Sequence, residues 1–118
     1  DVRLDNQIQI AHNVHIGAHS ALAGCAAVAG SANIGRNCLI GGGAGVLGHL
    51  DVADGVTITA MTLVTRSIRE PGVYSSGAPI EENRAWRRNA ARIRQLDAMA
   101  RRIQALEQRL DTLTKDRT

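Results

Sequence analysis

Three of the four histidines gather near the start of the chain. The segment IQIAHNVHIGAHS, residues 8–20, carries His12, His15 and His19 among small and aliphatic residues, and His49 follows Gly48. Neutral imidazole is a common metal ligand, and it is also the side chain best suited to moving a proton near neutral pH. Metal ligation needs several donors at one point. Acid–base catalysis needs one imidazole beside the reacting atoms and a donor for the charge that develops. A lone histidine on a face is usually just solvated. Which of these applies depends on how the chain stacks the four residues.

The element that must position them is a repeat. Stepping by six from Leu4 gives Ile10, Ile16, Leu22, Val28, Ile34, Ile40, Val46, Val52, Ile58 and Val64, all aliphatic. The residue after each is usually Gly or Ala, and the residue two before is mostly small or aliphatic. Ordinary amphipathic strands have a period of two and would not hold a strict six over sixty residues. Each hexad predicts one short strand and one turn, and three hexads predict one closed coil, so residues eighteen apart stack. Leu4, Leu22, Ile40 and Ile58 form one inward column, and Ile10, Val28, Val46 and Val64 another. The hexads resemble those of the left-handed parallel β-helix acyltransferases. That resemblance supplies the left hand of the winding, which runs against the usual crossover rule. The fold expected for residues 1–68 is therefore a mainly β, left-handed parallel β-helix of about three and a half coils.

Composition agrees with a thin interior. Hydrophobic residues make up 44% of the chain, yet aromatics are 2% and Phe is absent. Residues 69–83, REPGVYSSGAPIEEN, hold both prolines and two glycines and read as a linker. Residues 84–118 read as a helical extension. In it Leu96, Met99, Ile103, Leu106, Leu110 and Leu113 alternate in steps of three and four, an a/d seam, with one helix packed on a neighbour as the alternative reading. The extension holds nine Arg and one Lys against four acidic residues.

Cys25 and Cys38 lack C-x-x-C spacing, so neither a redox motif nor a zinc site is indicated, and a reducing, cytoplasmic setting is the default. No run of about 18 apolar residues predicts a membrane span, and nothing suggests nucleic acid as a partner. The chain opens on Asp1 rather than Met, and is expected to be part of a longer protein.

Spacing now sorts the histidines. The metal-binding β-helix carbonic anhydrases pair histidines at another spacing. Here the gaps are three and four residues, and Asp54 stands five beyond His49, so no metal is expected. His12 lies two past the inward Ile10, with Gly30 one coil above it and Gly48 above that. His49 comes 37 residues after His12, on the same edge. A glycine there leaves its N–H open to a ligand. A base beside an open backbone N–H suits acyl transfer from a thioester. His15 and His19 fall on other flanks and read as surface residues.

Three segments carry a closer resemblance: A-H-N-V at 11–14, G-H at 48–49, and P-G-V-Y-S-S-G followed by N-x-x-W-R-R between 71 and 88. With these the chain resembles the C-terminal part of the UDP-3-O-(3-hydroxyacyl)glucosamine N-acyltransferases of lipid A biosynthesis. The resemblance implies transfer of a 3-hydroxyacyl chain from the phosphopantetheine thioester of acyl carrier protein to the 2-amino group of a UDP-linked, O-acylated glucosamine, with no resident cofactor. It makes His12 the general base and Gly30 the oxyanion donor, and gives His49 a part in holding the donor arm. Asn6 and Asn13 become candidate sugar or phosphate contacts, and Arg66 a candidate contact for the carrier arm. It also implies a homotrimer with the active edge between two prisms. The family's N-terminal domain, which helps grip the uridine, is absent from this sequence. An acetyl-CoA-dependent sugar N-acetyltransferase and an inactive trimerising scaffold are the alternatives.

Overall fold

The computed structural model describes residues 1–117, so residue 118, the end of the expected extension, lies outside the described residues. The chain divides into two compact units, Asp1–Ala78 and a second from Pro79 onward.

Among the described residues the first unit holds twelve strands of two or three residues: β1 (Arg3–Leu4), β2 (Gln9–Ile10), β3 (His15–Ile16), β4 (Ala21–Leu22), β5 (Ala27–Val28), β6 (Asn33–Ile34), β7 (Leu39–Ile40), β8 (Gly45–Val46), β9 (Asp51–Val52), β10 (Val56–Ile58), β11 (Leu63–Val64) and β12 (Gly72–Tyr74). They form three parallel sheets, β1-β4-β7-β10-β12, β2-β5-β8-β11 and β3-β6-β9. The result is a parallel β-solenoid of about four turns. Partners stand eighteen residues apart: Leu4 pairs Leu22, which pairs Ile40, and Ile10, Val28, Val46 and Val64 form a second ladder. The register is the one that period six predicts.

Burial follows stacking. Leu22 is 2% exposed, while Leu4, in the same column, is 52% exposed because the first coil has a neighbour on one side only within this chain. Each buried aliphatic side chain contributes about 1.5–3 kcal/mol. A second interior residue per hexad (Ala26, Ala32, Cys38, Ala44, Val56) is fully buried, and small in the middle coils.

The turns share one device. Every sixth residue from Gln7 to Met61 has a positive φ, between 55° and 71°, and only Gly43 and Gly55 among them are glycine. The left-handed conformation costs an ordinary residue about 1 kcal/mol. It aims that residue's N–H down the stack: Cys25 donates to the Asn6 carbonyl (3.0 Å), Ser31 to His12 (3.1 Å) and His49 to Gly30 (3.1 Å). Such ladder bonds hold six of the eight non-glycine residues in this region, all but Gln7 and Asn13.

The last coil is two residues shorter. Ile68 bridges Val52, and Tyr74 pairs Ile58, each sixteen residues on rather than eighteen. β12 therefore lies inside the stretch read as a linker and extends the solenoid past Ile68. Hydroxyls fasten it there: Ser75 Oγ lies 2.7 Å from Thr59 Oγ1, and the Leu63 N–H donates to Ser76 Oγ at 2.9 Å.

In the second unit α1 spans Asn83–Ile93 and α2 spans Leu96–Asp116. The Glu82 carboxylate caps α1 by accepting from the Arg84 and Ala85 N–H groups. All six seam residues of α2 are exposed.

Candidate active site

One corner of the prism, following the strands of the β2-β5-β8-β11 sheet, gathers five of the six predicted site residues. His12 and Asn13 follow Ile10, Gly30 and Ser31 follow Val28, Gly48 and His49 follow Val46, and Arg66 follows Val64. His12, Gly30 and Gly48 thus share one column, and Asn13, Ser31 and His49 the next, while Arg66 lies in the shortened turn after Val64. At about 4.8 Å per rung, His49 lies about 10 Å along the edge from His12. Asn6 is not among them. It is one hexad earlier, a third of a coil, and stands at the corner following β1, below Gly24.

The His12 imidazole lies directly against Gly30. A Cβ built on Gly30 would sit 3.1 Å from His12 Cε1 and 3.4 Å from its Nδ1. The absence of a side chain at Gly30 therefore makes room for the imidazole. The ring is exposed, and neither nitrogen has a hydrogen-bond partner among the described residues. The Gly30 N–H also donates to nothing among the described residues. Above it, a Cβ on Gly48 would lie 3.0 Å from the Gly30 carbonyl oxygen and 3.9 Å from its nitrogen. The two glycines leave a proton acceptor and an uncommitted N–H side by side on an open edge.

The faces beside this corner differ. Before it, the outward residues Ala27, Gly45 and Leu63 make an apolar strip, with Leu63 Cδ1 3.4 Å from the position of a Gly45 Cβ. After it, the outward residues His15, Asn33 and Asp51 make a polar ladder, Asn33 donating to Asp51 Oδ1 at 2.8 Å. His19 stands at a third corner, 3.5 Å from the Asp1 carboxylate. The histidine cluster of the sequence is thus spread over a corner, a face and another corner. Sequence reading missed Ser31, whose Oγ accepts from Asn13 Nδ2 at 3.1 Å. It also missed the apolar strip, although Ala27, Gly45 and Leu63, eighteen apart and just before inward positions, signalled it.

Comparison with known proteins gives the following. No family model matches the chain. Among curated proteins it is 61% identical over 112 residues to the UDP-3-O-acylglucosamine N-acyltransferase of Albidiferax ferrireducens, covering 95% of this chain and 34% of that protein. To the protein of the same name from Hahella chejuensis it is 60% identical over 106 residues, covering 90% of this chain and 30% of that one. The chain spans about a third of the length of the curated relatives it matches. Among solved structures, a serine acetyltransferase isoform 3 from Entamoeba histolytica, in complex with cysteine, superposes with a TM-score of 0.53 at 23% identity, over 72% of this chain and 37% of that one. That likeness is one of fold.

Proposed function

Since the chain belongs by sequence to the UDP-3-O-acylglucosamine N-acyltransferase family, we propose that its His12 corner catalyses transfer of a 3-hydroxyacyl chain to the 2-amino group of a UDP-linked 3-O-acylglucosamine. The donor is the phosphopantetheine thioester of acyl carrier protein. The observation that carries this reading is the contact of the His12 imidazole with Gly30, whose N–H is uncommitted.

The amine nitrogen attacks the thioester carbonyl carbon, and His12 takes the proton that the nitrogen loses. The carbonyl oxygen becomes an oxyanion and accepts from the Gly30 N–H. One such donor is worth about 10²–10³ in rate. The tetrahedral intermediate then collapses, the C–S bond breaks, and the imidazolium returns its proton to the leaving thiolate. The apolar strip of Ala27, Gly45 and Leu63 suits an acyl chain, and the polar ladder of Asn33 and Asp51 suits a sugar. His49 and Arg66, further up the edge, suit the donor arm and its phosphate. Asn13 lies next to the base and faces the acceptor; Asn6, at another corner, has no place in this scheme within one chain. The exposed seam of α2 and the open edges of the coil favour a homotrimer with the active edge between two prisms. The arginines of the helical unit favour an acidic carrier protein.

The test is a donor comparison in the full-length enzyme. Acyl transfer to the UDP-linked acceptor is expected from acyl carrier protein thioester and not from acetyl-CoA, by particles of three chains in light scattering. Transfer from acetyl-CoA at equal or higher rate, or single-chain particles, would overturn the respective part of the reading.

A further inference from the structure

Ser31 is tied to the His12 corner twice. Its backbone N–H donates to the His12 carbonyl at 3.1 Å, and its hydroxyl oxygen accepts from Asn13 Nδ2 at 3.1 Å. The first bond belongs to the turn and recurs at other corners: Asn37 donates to Ala18, and Gly43 to Gly24. The second does not recur in that form. Of the other side chain to side chain bonds between residues eighteen apart, Cys25 Sγ donates to Gln7 Oε1 at 3.4 Å from the same turn positions, with the amide oxygen accepting, and Asn33 donates to Asp51 on a face. Among the described residues, it is at the His12 corner that a hydroxyl accepts from the amide of the residue following an imidazole.

The bond has a chemical consequence. An exposed Asn side chain rotates about two dihedral angles and turns over its two amide ends freely. With Nδ2 donating to Ser31 Oγ, the amide is held at one end and its Oδ1 is left as an acceptor on the side away from Ser31. An acceptor fixed beside a base is what an incoming N–H or O–H group needs to be aligned for attack, and a preformed acceptor costs less ordering on binding.

We propose that Ser31 is a positioning residue for the acyl acceptor: its hydroxyl orients the Asn13 amide, which aligns the sugar's polar groups beside His12. This rests on the reading of the His12 corner as the transfer site. Ser31 touches no substrate in this scheme and acts only through Asn13.

A double-mutant cycle on the full-length enzyme tests it. Ser31 has a φ of 62°, which glycine adopts without strain, so Ser31→Gly removes the hydroxyl while keeping the turn. Ser31→Gly is expected to raise KM for the UDP-linked acceptor about fivefold, the worth of one neutral hydrogen bond. KM for the acyl donor and the melting temperature should change little. Asn13→Ala should raise acceptor KM at least as much, and the double variant should be no worse than Asn13→Ala alone. If His12→Ala remains active and Asn13→Ala leaves acceptor KM unchanged, the site reading fails and this proposal with it. If those two variants behave as the reading requires, but Ser31→Gly leaves acceptor KM unchanged or adds in full to Asn13→Ala, only the role of Ser31 is overturned. A loss spread equally over both substrates together with a lowered melting temperature would make Ser31 structural, and also overturns it.

Discussion

Two corners of the prism are built on one backbone and end in opposite states. At each, the second residue past an inward side chain presents an N–H that the stacking ladder does not use. At the corner following β6, that N–H belongs to Arg36, and Asp54 Oδ1 from the coil above accepts it at 2.7 Å. At the corner following β5, it belongs to Gly30, and the residue above is Gly48, which has nothing to offer it. The solenoid therefore produces a ladder of outward N–H groups wherever it turns, and side chains decide which are capped. A capped N–H contributes to stability, about 1.5–3 kcal/mol for a bond to a charged group, less where exposed. An uncapped one is available to a substrate oxygen. Between these two corners the difference is a carboxylate against a glycine at a single position.

The largest effect that this comparison predicts is at the base. His12→Ala removes the only imidazole against Gly30 and buries nothing differently, since the ring is exposed. It should lower kcat by about 10²–10⁴ in a thioester-coupled transfer assay, with an unchanged melting curve. Retention of more than a tenth of the rate would remove His12 from the role of base.

The next effect converts an open corner toward a closed one. Gly48 has no positive φ, so alanine suits its backbone. Its Cβ would stand 3.0 Å from the Gly30 oxygen and 3.9 Å from the Gly30 nitrogen, in the path of an approaching oxyanion. Gly48→Ala should lower kcat by about 10–100-fold, part of the worth of one oxyanion donor. At the corner that follows β4, the same Cβ built on Gly42 meets only the Gly24 oxygen, at 3.5 Å, an ordinary contact. Gly42→Ala is therefore the matched control, expected to keep its rate. Equal losses from the two substitutions, measured as kcat at saturating donor, would show that general crowding rather than shielding of Gly30 is at work.

Much of this was legible in the sequence because period six leaves little freedom. Once Leu4 to Val64 are read as one column, coil and register follow, and multiples of eighteen bring His12, Gly30 and Gly48 together. The same arithmetic separates His15 and His19 from them. Other features carry no such signal. The loss of two residues before Ile68 breaks the period, so β12 is hidden in a segment rich in Pro and Gly, where hydroxyls from Ser75 and Ser76 hold it. The break between α1 and α2 falls at Arg94 and Gln95, both good helix formers, and nothing local announces it. The bond from Asn13 to Ser31 depends on rotamers, which spacing does not encode. The hand of the coil is not legible either, because a six-residue period fits both windings.

The smallest predicted effects belong to the capped corner and the outlying histidines, and they complete the comparison. Asp54 is exposed, and its carboxylate does one thing in this chain: it accepts the Arg36 N–H. Asp54→Ala leaves that N–H to water, and water reaches it because both residues are exposed. The loss should then be near or below 1 kcal/mol, a shift of a few degrees in melting temperature. The transfer rate should stay within twofold, because the carboxylate is at the corner that follows β3, β6 and β9, away from His12 and Gly30. His15→Ala and His19→Ala should shift neither quantity. His15 is an outward residue of β3, and His19 meets only the exposed Asp1, a pair worth little in solvent. Calorimetry and steady-state rates on the three variants read both quantities at once. The decisive result would be a rate loss at His15 or His19 matching that of His12→Ala while the melting curve is unchanged. The uncommitted N–H of Gly30 would then not mark the reacting edge, and open and capped corners would differ in stability alone.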